Sequence, residues 1–171
     1  MKKPEIQHEL EVKFGTSYGW DEAAILLDVL KNNAPSCGNR VIEFEKAFAE
    51  YTGAEWALTV TSATTGLQLA AVAVDIQPGD EVITTPISWI ATATAFSDRG
   101  AEIVFCDIDE RTMNLDPKKL EALITPKTKA IVPVHLFGQV CDIDAIMAIA
   151  GKHKIPVIDD CAHAPGAEWQ G

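Results

Sequence analysis

From residue 55 onward, short apolar runs alternate regularly with longer segments whose apolar residues recur every three or four positions. Such runs are typical of strands buried on both faces, and such segments are typical of helices. Successive runs are joined by crossovers long enough to return the chain in the same direction, so the pattern predicts a three-layer α/β sandwich with a mostly parallel sheet. The predicted strands are Trp56–Val60, Glu81–Thr84, Glu102–Asp107, Lys129–Val134 and Ile155–Asp160. The predicted helices are Thr64–Val74, Ser88–Asp98, Pro117–Ile124 and Asp142–His153.

The part of the chain before this alternation is predicted to be helical. Residues 1–19 are largely polar and are predicted to form an arm. A helix capped by Asp21 is predicted to run through Leu30, followed by a break at Asn32–Gly38, which contains a proline and a glycine. A second amphipathic helix is predicted over Val41–Tyr51. The apolar face expected to be buried in the first helix consists of Ala23, Leu26, Leu27 and Leu30.

Composition narrows the classes of function. The chain has 171 residues, a formal net charge of −11 and 47% hydrophobic residues. It has no stripe of lysine and arginine to neutralise phosphates, so no binding to nucleic acid or to an anionic membrane surface is expected. No apolar run reaches the roughly 18 residues that a membrane span requires, and no secretory signal is visible, so a cytoplasmic protein is expected.

The spacing of cysteine and histidine gives no sign of a metal or redox centre. The cysteines form no C-x-x-C pair and are expected to be buried thiols. The histidines lie on separate predicted elements, so no metal site is predicted. These residues are Cys37, Cys106, Cys141, Cys161, His8, His135, His153 and His163.

The last predicted strand ends in polar residues at the edge of the sheet where open α/β sheets bind their ligands. Asp160 closes the apolar run, and His163 follows three residues later. A carboxylate held there can keep a heterocyclic ring nitrogen protonated, as pyridoxal phosphate requires. Taken alone, the segment is equally compatible with an ordinary solvated acid at a strand end.

Two earlier strand ends carry further candidates. Thr61–Leu67 places small hydroxyl residues and unpaired N–H groups at a helix start, which suits a phosphate but also simple capping by Ser62 or Thr64. Trp89 begins the next helix and is placed to stack on a planar cofactor, although a tryptophan of the core or an interface is the commoner case. His135, beside apolar residues, is interpreted as a structural group.

Several longer motifs of the chain can be compared with known families. They are Glu43–Glu45, Tyr51–Ala54, Gly79–Ile83, Asp107–Asp109, Asn114–Asp116, Thr128–Gly138 and Asp160–Ala167. Together they resemble the DegT/StrS group of sugar aminotransferases, in the fold type I class of pyridoxal phosphate enzymes. The resemblance runs from about Trp20 to Gly171. It implies that residues 20–171 form an incomplete large, cofactor-binding domain of the fold type I aminotransferase fold, preceded by the arm of residues 1–19.

The resemblance implies a role for each of five residues. Ala63 and Thr64 match the family's Gly-Thr pair, which holds the cofactor phosphate, and Trp89 matches the aromatic residue stacked on the pyridine ring. Asp160 matches the acid paired with the ring nitrogen, and His163 matches the Gln or His beside the phenolic oxygen. Ala63 departs from the usual Gly, but a backbone contact tolerates alanine where φ is negative, so the phosphate cup is expected to survive.

The same resemblance implies a pyridoxal phosphate-dependent transaminase that carries an amino group, usually from glutamate, to a nucleotide-linked keto sugar for amino-sugar or surface polysaccharide biosynthesis. Its catalytic residues here are Asp160 and His163. In the family the Schiff-base lysine comes downstream of the segment that contains them, and no lysine of this chain matches its position. The chain is therefore expected to be the N-terminal part of such an enzyme and inactive by itself.

Two alternatives stay open. One is a truncated, non-catalytic chain that keeps the fold without the lysine. The other is a nucleotide-binding module of Rossmann type, which the missing glycine fingerprint disfavours. Because the family builds its sites between two subunits, a homodimer is expected, with Val41–Tyr51 among its contacts. A sheet that ends at Asp160 is also expected to leave an unpaired edge and exposed apolar faces.

Overall fold

The computed structural model describes residues 18–32 and 38–170. The chain divides into two compact units, residues 1–59 and residues 60–171. Residues 1–17 of the predicted arm, most of the predicted break at Asn32–Gly38, and Cys37 lie outside the described residues.

The described part of the first unit contains two helices, α1 (Trp20–Lys31) and α2 (Asn39–Thr52). α1 begins after Gly19, whose backbone N–H donates to the Glu22 carboxylate at 2.6 Å. The expected cap at Asp21 is therefore wrong. Asp21 lies instead in the first turn, where its charge complements the positive end of the helix dipole.

α2 confirms the second predicted helix and organises the segment that follows it. It ends at Gly53, whose φ of 70° is a left-handed conformation that glycine adopts without strain. At its start, Arg40 forms an ion pair with Asp28 of α1 at 3.0 Å. Further along, the Glu45 carboxylate accepts hydrogen bonds from the N–H and the hydroxyl of Thr59, both at 2.7 Å. These contacts tie the residues after α2 back to its side.

Two predictions for this part of the chain are wrong. The apolar face of α1 is not a buried face, since no residue of α1 is buried and Leu26, Leu27 and Leu30 are exposed. Trp56–Val60 is not a strand. A strand needs a backbone partner, and this segment pairs with no other strand among the described residues. Its apolar composition therefore did not identify its conformation.

The second unit is built on a three-stranded parallel sheet. β1 (Glu81–Thr84) lies between β2 (Glu102–Phe105) and β3 (Thr128–Val132). The register pairs Ile83 of β1 with Val104 on one side and Ile131 on the other. β1 coincides with the predicted strand, whereas β2 and β3 each end two residues earlier than predicted.

The predicted strand Ile155–Asp160 runs parallel beside β3 but is not a regular strand. Pro133 and Pro156 lack the N–H groups that a continuous ladder needs. Both still accept hydrogen bonds through their carbonyl oxygens, Pro156 from the Ile131 N–H at 3.1 Å and Pro133 from the Asp160 N–H at 3.0 Å. The predicted count of five strands is wrong, but the parallel course of this segment is confirmed. Its isolated bridges are Ile131–Val157 and Val134–Asp160.

Helices cover both faces of the sheet. α3 and α4 share an apolar core with Val82 of β1 and Val132 of β3, and α5 and α6 share a second core with Ile83 and Ile131. Neighbouring residues of a strand point to opposite faces, so this alternation places one pair of helices on each face. The predicted three-layer α/β sandwich is confirmed. The four helices are α3 (Ala63–Ala73), α4 (Ala91–Ser97), α5 (Pro117–Leu120) and α6 (Ile143–His153).

The helix boundaries follow local capping. α3 and α6 lie within one residue of their predicted ends, after the side-chain caps Ser62 and Asp142. α4 begins three residues later than predicted, because residues 88–90 form a turn before it. α5 continues as a 3₁₀ turn over Glu121–Leu123, so the predicted helix over Pro117–Ile124 is confirmed in position but not in uniform geometry.

Gly100 provides a test of the packing between the α4–β2 turn and the loop that precedes β1. Its φ is +88°, and a Cβ added to it would lie 2.9 Å from the Cβ of Pro78. We expect Gly100→Ala to lower the free energy of unfolding by about 2 to 4 kcal/mol, through backbone strain and overpacking. Urea unfolding followed by circular dichroism measures this change.

The matched control is Gly151→Ala in α6, where the added Cβ meets open space. Because alanine favours a helix interior over glycine, we expect this control to raise the free energy of unfolding by about 0.5 to 1 kcal/mol. Equal urea midpoints for the two variants would contradict the described packing.

Candidate active site

A buried carboxylate lies at the carboxyl edge of the sheet. Asp160 lies beside the residues that directly follow β3. Its N–H donates to the Pro133 carbonyl at 3.0 Å, and its carbonyl accepts from the His135 N–H at 3.2 Å. Asp160 is only 7% exposed. Its Oδ2 accepts a hydrogen bond from the Thr92 hydroxyl at 2.7 Å, and its Oδ1 accepts one from the Ala162 N–H at 3.2 Å. Both oxygens are thus held by donors from different segments, unlike a solvated acid.

Trp89 lies at the same edge, in the turn between β1 and α4. It is 74% exposed, so it is not a core tryptophan and its ring is available to a planar ligand. The hydroxyls of Ser88 and Thr92 lie 2.8 Å apart, and Thr92 contacts Asp160. The turn that carries Trp89 is therefore tied to the buried carboxylate. A pocket of about 240 Å³ opens beside this turn and is lined by Trp89 and Phe105 among others.

The start of α3 offers two backbone N–H groups that the helix does not use. Ser62 caps the helix by accepting a hydrogen bond from the Thr65 N–H at 3.3 Å, while its carbonyl accepts from Gly66. Within the described part of the chain, no hydrogen bond is donated by the N–H of Ala63 or Thr64. Ser62 thus caps the helix, as one sequence interpretation expected, and the N–H groups of Ala63 and Thr64 still remain as donors at the positive end of the helix dipole.

The structure does not join the start of α3 directly to the rest of the candidate site. α3 packs against α4, which carries Thr92. In the described residues, however, no hydrogen bond links Ala63 or Thr64 to Asp160 or His163. Of the residues predicted for the site, Asp160 and Trp89 are connected through Thr92.

His163 lies on the surface and is oriented by the turn after β3. Its ring stacks on Phe137, with ring centres 5.7 Å apart and planes 12° apart. Its Nδ1 accepts a hydrogen bond from the Phe137 N–H at 3.4 Å. Phe137 presents this N–H from a left-handed conformation, φ 53°. With Nδ1 as the acceptor, the ring proton lies on Nε2, which leaves an N–H for a ligand.

His135 is the buried structural histidine that the sequence predicts. Its Nδ1 accepts a hydrogen bond from the Cys141 N–H at 3.1 Å, and its Nε2 lies 3.6 Å from an oxygen of Asp159. Burial raises the pKa of Asp159, and the nearby His135 ring opposes that rise. The His135 backbone N–H also donates to the Asp160 carbonyl, so the pair adjoins Asp160 in both segments.

Thr92 and Ser88 were missed by sequence reasoning. A signal was present, because the two residues are four positions apart and a hydroxyl on the buried side of an apolar helix needs a partner. The partner itself was not predictable from local pattern, since Asp160 is 68 positions further along the chain.

The prediction of buried thiols is confirmed for two cysteines and wrong for a third. Cys106 and Cys141 are buried, whereas Cys161, next to Asp160, is exposed. Desolvation raises the pKa of Cys106 to about 11 and that of Cys141 to about 12. The pKa of Cys161 is also raised, by partial burial and by the charges of Asp159 and Asp160.

The described part of the chain shows neither a candidate metal centre nor a candidate membrane span. Over residues 18–32 and 38–170, no group of three or more His, Cys, Asp or Glu side chains is arranged to hold a metal ion. In the same residues, no helix is long and apolar enough to cross a membrane.

A parallel α/β sandwich with a buried carboxylate and an exposed aromatic residue at its carboxyl edge is typical of an enzyme domain that binds a cofactor. The model of the DegT/DnrJ/EryC1/StrS aminotransferase family matches residues 17–171, and the chain belongs to this family. Its fold is accordingly an α/β fold type I aminotransferase domain.

Individual relatives agree with this assignment. The chain is 52% identical over 136 residues to GDP-perosamine synthase of Caulobacter vibrioides, a match that covers 80% of this chain and 37% of that protein. It is 49% identical over 146 residues to the spore coat polysaccharide biosynthesis protein SpsC of Bacillus subtilis, covering 85% of this chain and 38% of that protein. The chain thus spans less than half the length of these curated relatives.

Solved structures show the same fold. The aminotransferase from Psychrobacter cryohalolentis is 43% identical with a TM-score of 0.86, covering 91% of this chain and 40% of that one. NtdA from Bacillus subtilis, solved with bound cofactor PMP, is 34% identical with a TM-score of 0.80, covering 85% of this chain and 34% of that one.

The burial of the thiols predicts a clear order of reactivity. A thiolate must form and be reached by the reagent, and burial both shields Cys106 and Cys141 and raises their pKa values. We therefore expect the exposed Cys161 to react with iodoacetamide about tenfold faster, or more, than either of them in the folded protein. Peptide mass spectrometry after timed labelling at pH 8 measures the three rates. Labelling in urea should make the rates similar, and rapid labelling of Cys141 without urea would contradict the described core.

Proposed function

We propose that this chain is part of a pyridoxal 5′-phosphate-dependent aminotransferase that transfers an amino group to a keto sugar. The observation that carries the proposal is the Asp160 carboxylate, buried at the carboxyl edge of the sheet with one donor on each oxygen. Membership of the aminotransferase family supports it, as does the bound PMP in a similar structure.

The residues present fit the ring of this cofactor. A pyridine ring needs a flat apolar surface and, beside its nitrogen, an acid that stabilises the protonated form. Trp89 supplies an exposed indole, and Asp160 supplies a carboxylate whose position is fixed through Thr92. We assign His163 to the phenolic oxygen, with the N–H of its Nε2 as the donor.

The start of α3 fits the phosphate. Ala63 and Thr64 have N–H groups without an internal acceptor in the described structure, and the dipole of an eleven-residue helix adds positive potential there. Ala63 is not among the residues with positive φ, so alanine causes no strain where the family usually has glycine. We propose that these two N–H groups and the Thr64 hydroxyl hold the phosphate.

The chemistry follows from these contacts. When bound, pyridoxal phosphate supplies an electron sink for the carbon that carries the amino group. The task of Asp160 is to keep a proton on the ring nitrogen, because a buried anion there favours the charged ring. Trp89 covers one face of the ring and excludes water from it. His163 donates a hydrogen bond that orients the ring.

The proposed substrate is a keto sugar linked to a nucleotide, with glutamate as amino donor, for amino-sugar or surface polysaccharide biosynthesis. Two relatives support this class, one named as a GDP-perosamine synthase and one as a spore coat polysaccharide biosynthesis protein. In this proposal residues 20–171 belong to the large, cofactor-binding domain, residues 1–19 form an arm, and the enzyme works in the cytoplasm.

We propose that the 171-residue chain alone binds the cofactor weakly, without a covalent bond, because none of its lysines matches the family's Schiff-base position. A non-catalytic role for this chain is the alternative. Borohydride reduction in the presence of pyridoxal phosphate, followed by mass measurement, distinguishes specific from random attachment. A stoichiometric adduct on one lysine would refute this assignment.

A homodimer is part of the same proposal. α2 exposes large apolar side chains, and an exposed apolar surface of this kind is typical of a protein interface. Sedimentation that showed only monomer at increasing protein concentration would refute it. The exposed side chains of α2 are Ile42, Phe44, Phe48 and Tyr51.

The charge of Asp160 gives the direct test of the proposed cofactor site. Asp160→Asn keeps the shape but removes the anion that stabilises the protonated ring nitrogen. We expect the dissociation constant for pyridoxal phosphate to rise about tenfold or more, because a hydrogen bond to a charged group contributes roughly 1.5 to 3 kcal/mol. Equilibrium dialysis of the 171-residue chain measures the change.

The matched control is Asp98→Asn, at an exposed position after α4. It removes the same charge from the chain as a whole, so it reports any effect of net charge alone. Unchanged binding by the Asp160 variant, or an equal loss in both variants, would contradict the assignment of Asp160.

A further inference from the structure

We propose that Ser88 and Thr92 are positioning residues that form a hydrogen-bond relay to Asp160 and orient its carboxylate toward the ring nitrogen of the cofactor. The inference rests on the proposed function, which supplies the ring nitrogen. Thr92 belongs to α4 and Ser88 to the turn before it, whereas the backbone of Asp160 is held by the segment that follows β3.

The relay has a definite direction. Thr92 is 2% exposed, and its hydroxyl lies 2.7 Å from Oδ2 of Asp160. An ionised carboxylate only accepts hydrogen bonds, so the single hydroxyl proton of Thr92 is donated to Asp160. The Ser88 hydroxyl, 2.8 Å from that of Thr92, must then donate its own proton to Thr92. The Ser88 hydroxyl therefore strengthens the Thr92 hydroxyl as a donor to Asp160.

The hydroxyl of Thr92 is used for Asp160 and not for its own helix. Threonine in a helix often donates to a carbonyl one turn earlier, which satisfies the hydroxyl locally. The Thr92 hydroxyl has only the Ser88 hydroxyl and the Asp160 carboxylate as partners among the described residues. The buried residues of the next turn of α4, Ala95 and Phe96, are both apolar. A valine would fill the same volume there, so the hydroxyl has no packing role.

Two donors from separate segments define the orientation of the carboxylate. Thr92 of α4 holds Oδ2, and the Ala162 N–H holds Oδ1. Each oxygen can accept a further hydrogen bond, so the side chain can pair with a ring N–H without losing either donor. Without the Thr92 hydroxyl, Oδ2 is a desolvated oxygen with no donor among the described residues, and only the Ala162 N–H still orients the carboxylate.

The experiment compares two ligands on four forms of the 171-residue chain: the unaltered chain, Thr92→Val, Thr92→Ser and Ser88→Ala. One ligand is pyridoxal 5′-phosphate. The other is 1-deazapyridoxal 5′-phosphate, in which a C–H replaces the ring nitrogen. Equilibrium dialysis gives each dissociation constant. Circular dichroism and thermal unfolding report whether each variant keeps the fold.

The relay predicts a loss that depends on the ring nitrogen. We expect Thr92→Val to weaken binding of pyridoxal phosphate about tenfold, as for other hydrogen bonds to charged groups, and to change binding of the deaza analogue less than about twofold. Thr92→Ser keeps the hydroxyl and should restore binding to within about threefold. Ser88→Ala removes the outer donor, so we expect a smaller loss, about threefold, with the same ligand dependence.

Several results would overturn the relay. Equal loss for both ligands would show that Thr92 only supports the fold, and unchanged binding by Thr92→Val would show that Asp160 does not need it. Failure of Thr92→Ser to restore binding would also refute it. Should Thr92→Val not fold, the Ser88→Ala comparison decides by the same criteria. If the unaltered chain bound neither ligand, the proposed function itself would fail, a result distinct from all of these.

Discussion

Backbone pairing between the end of β3 and Asp160 is the interaction on which the site depends. The Asp160 N–H donates to the Pro133 carbonyl, and the His135 N–H donates to the Asp160 carbonyl. This pairing places Asp160 just beyond the last regular position of the sheet, where its side chain is largely shielded from solvent. Pro133 and Pro156, one in each of the two paired segments, lack an N–H, so few backbone hydrogen bonds join these segments. The two bonds of Asp160 therefore contribute a large share of what fixes its position.

Burial of a carboxylate is costly unless donors replace its water. In this protein the donors come from two directions, a hydroxyl of α4 and an N–H of the loop that follows Asp160. The neighbouring Asp159 is held differently, beside the buried ring of His135. Two adjacent acids therefore have separate environments: Asp159 lies beside a histidine, and Asp160 keeps acceptor capacity for a ligand. This separation connects the packing of the sheet with the proposed chemistry.

The predictable part of this structure is the part that local pattern controls. β1, α3 and α6 lie within one residue of their predicted ends, because an apolar run and a capping side chain are local signals. The layer order also followed, since continuous apolar runs on parallel strands require cover on both faces. Asp160 was predicted at the sheet edge because it ends such a run.

The unpredicted part depends on contacts between distant segments. Trp56–Val60 has the composition of a strand but no strand partner in the described structure, and the apolar residues of α1 are exposed rather than buried. Thr92 was missed because its partner lies 68 positions away. Sequence pattern indicates which residues prefer burial or a helix, but it does not identify which distant residue completes a buried polar group.

The protonation state of the bound cofactor tests the central claim most directly. Nitrogen-15 NMR of pyridoxal phosphate labelled at the ring nitrogen distinguishes a protonated from an unprotonated pyridine by its chemical shift. With the chain in excess at pH 8, the account predicts the shift of the protonated ring, and a change toward the unprotonated shift in Asp160→Asn. An unprotonated shift in the unaltered chain, or the same shift in both proteins, would contradict the role assigned to Asp160.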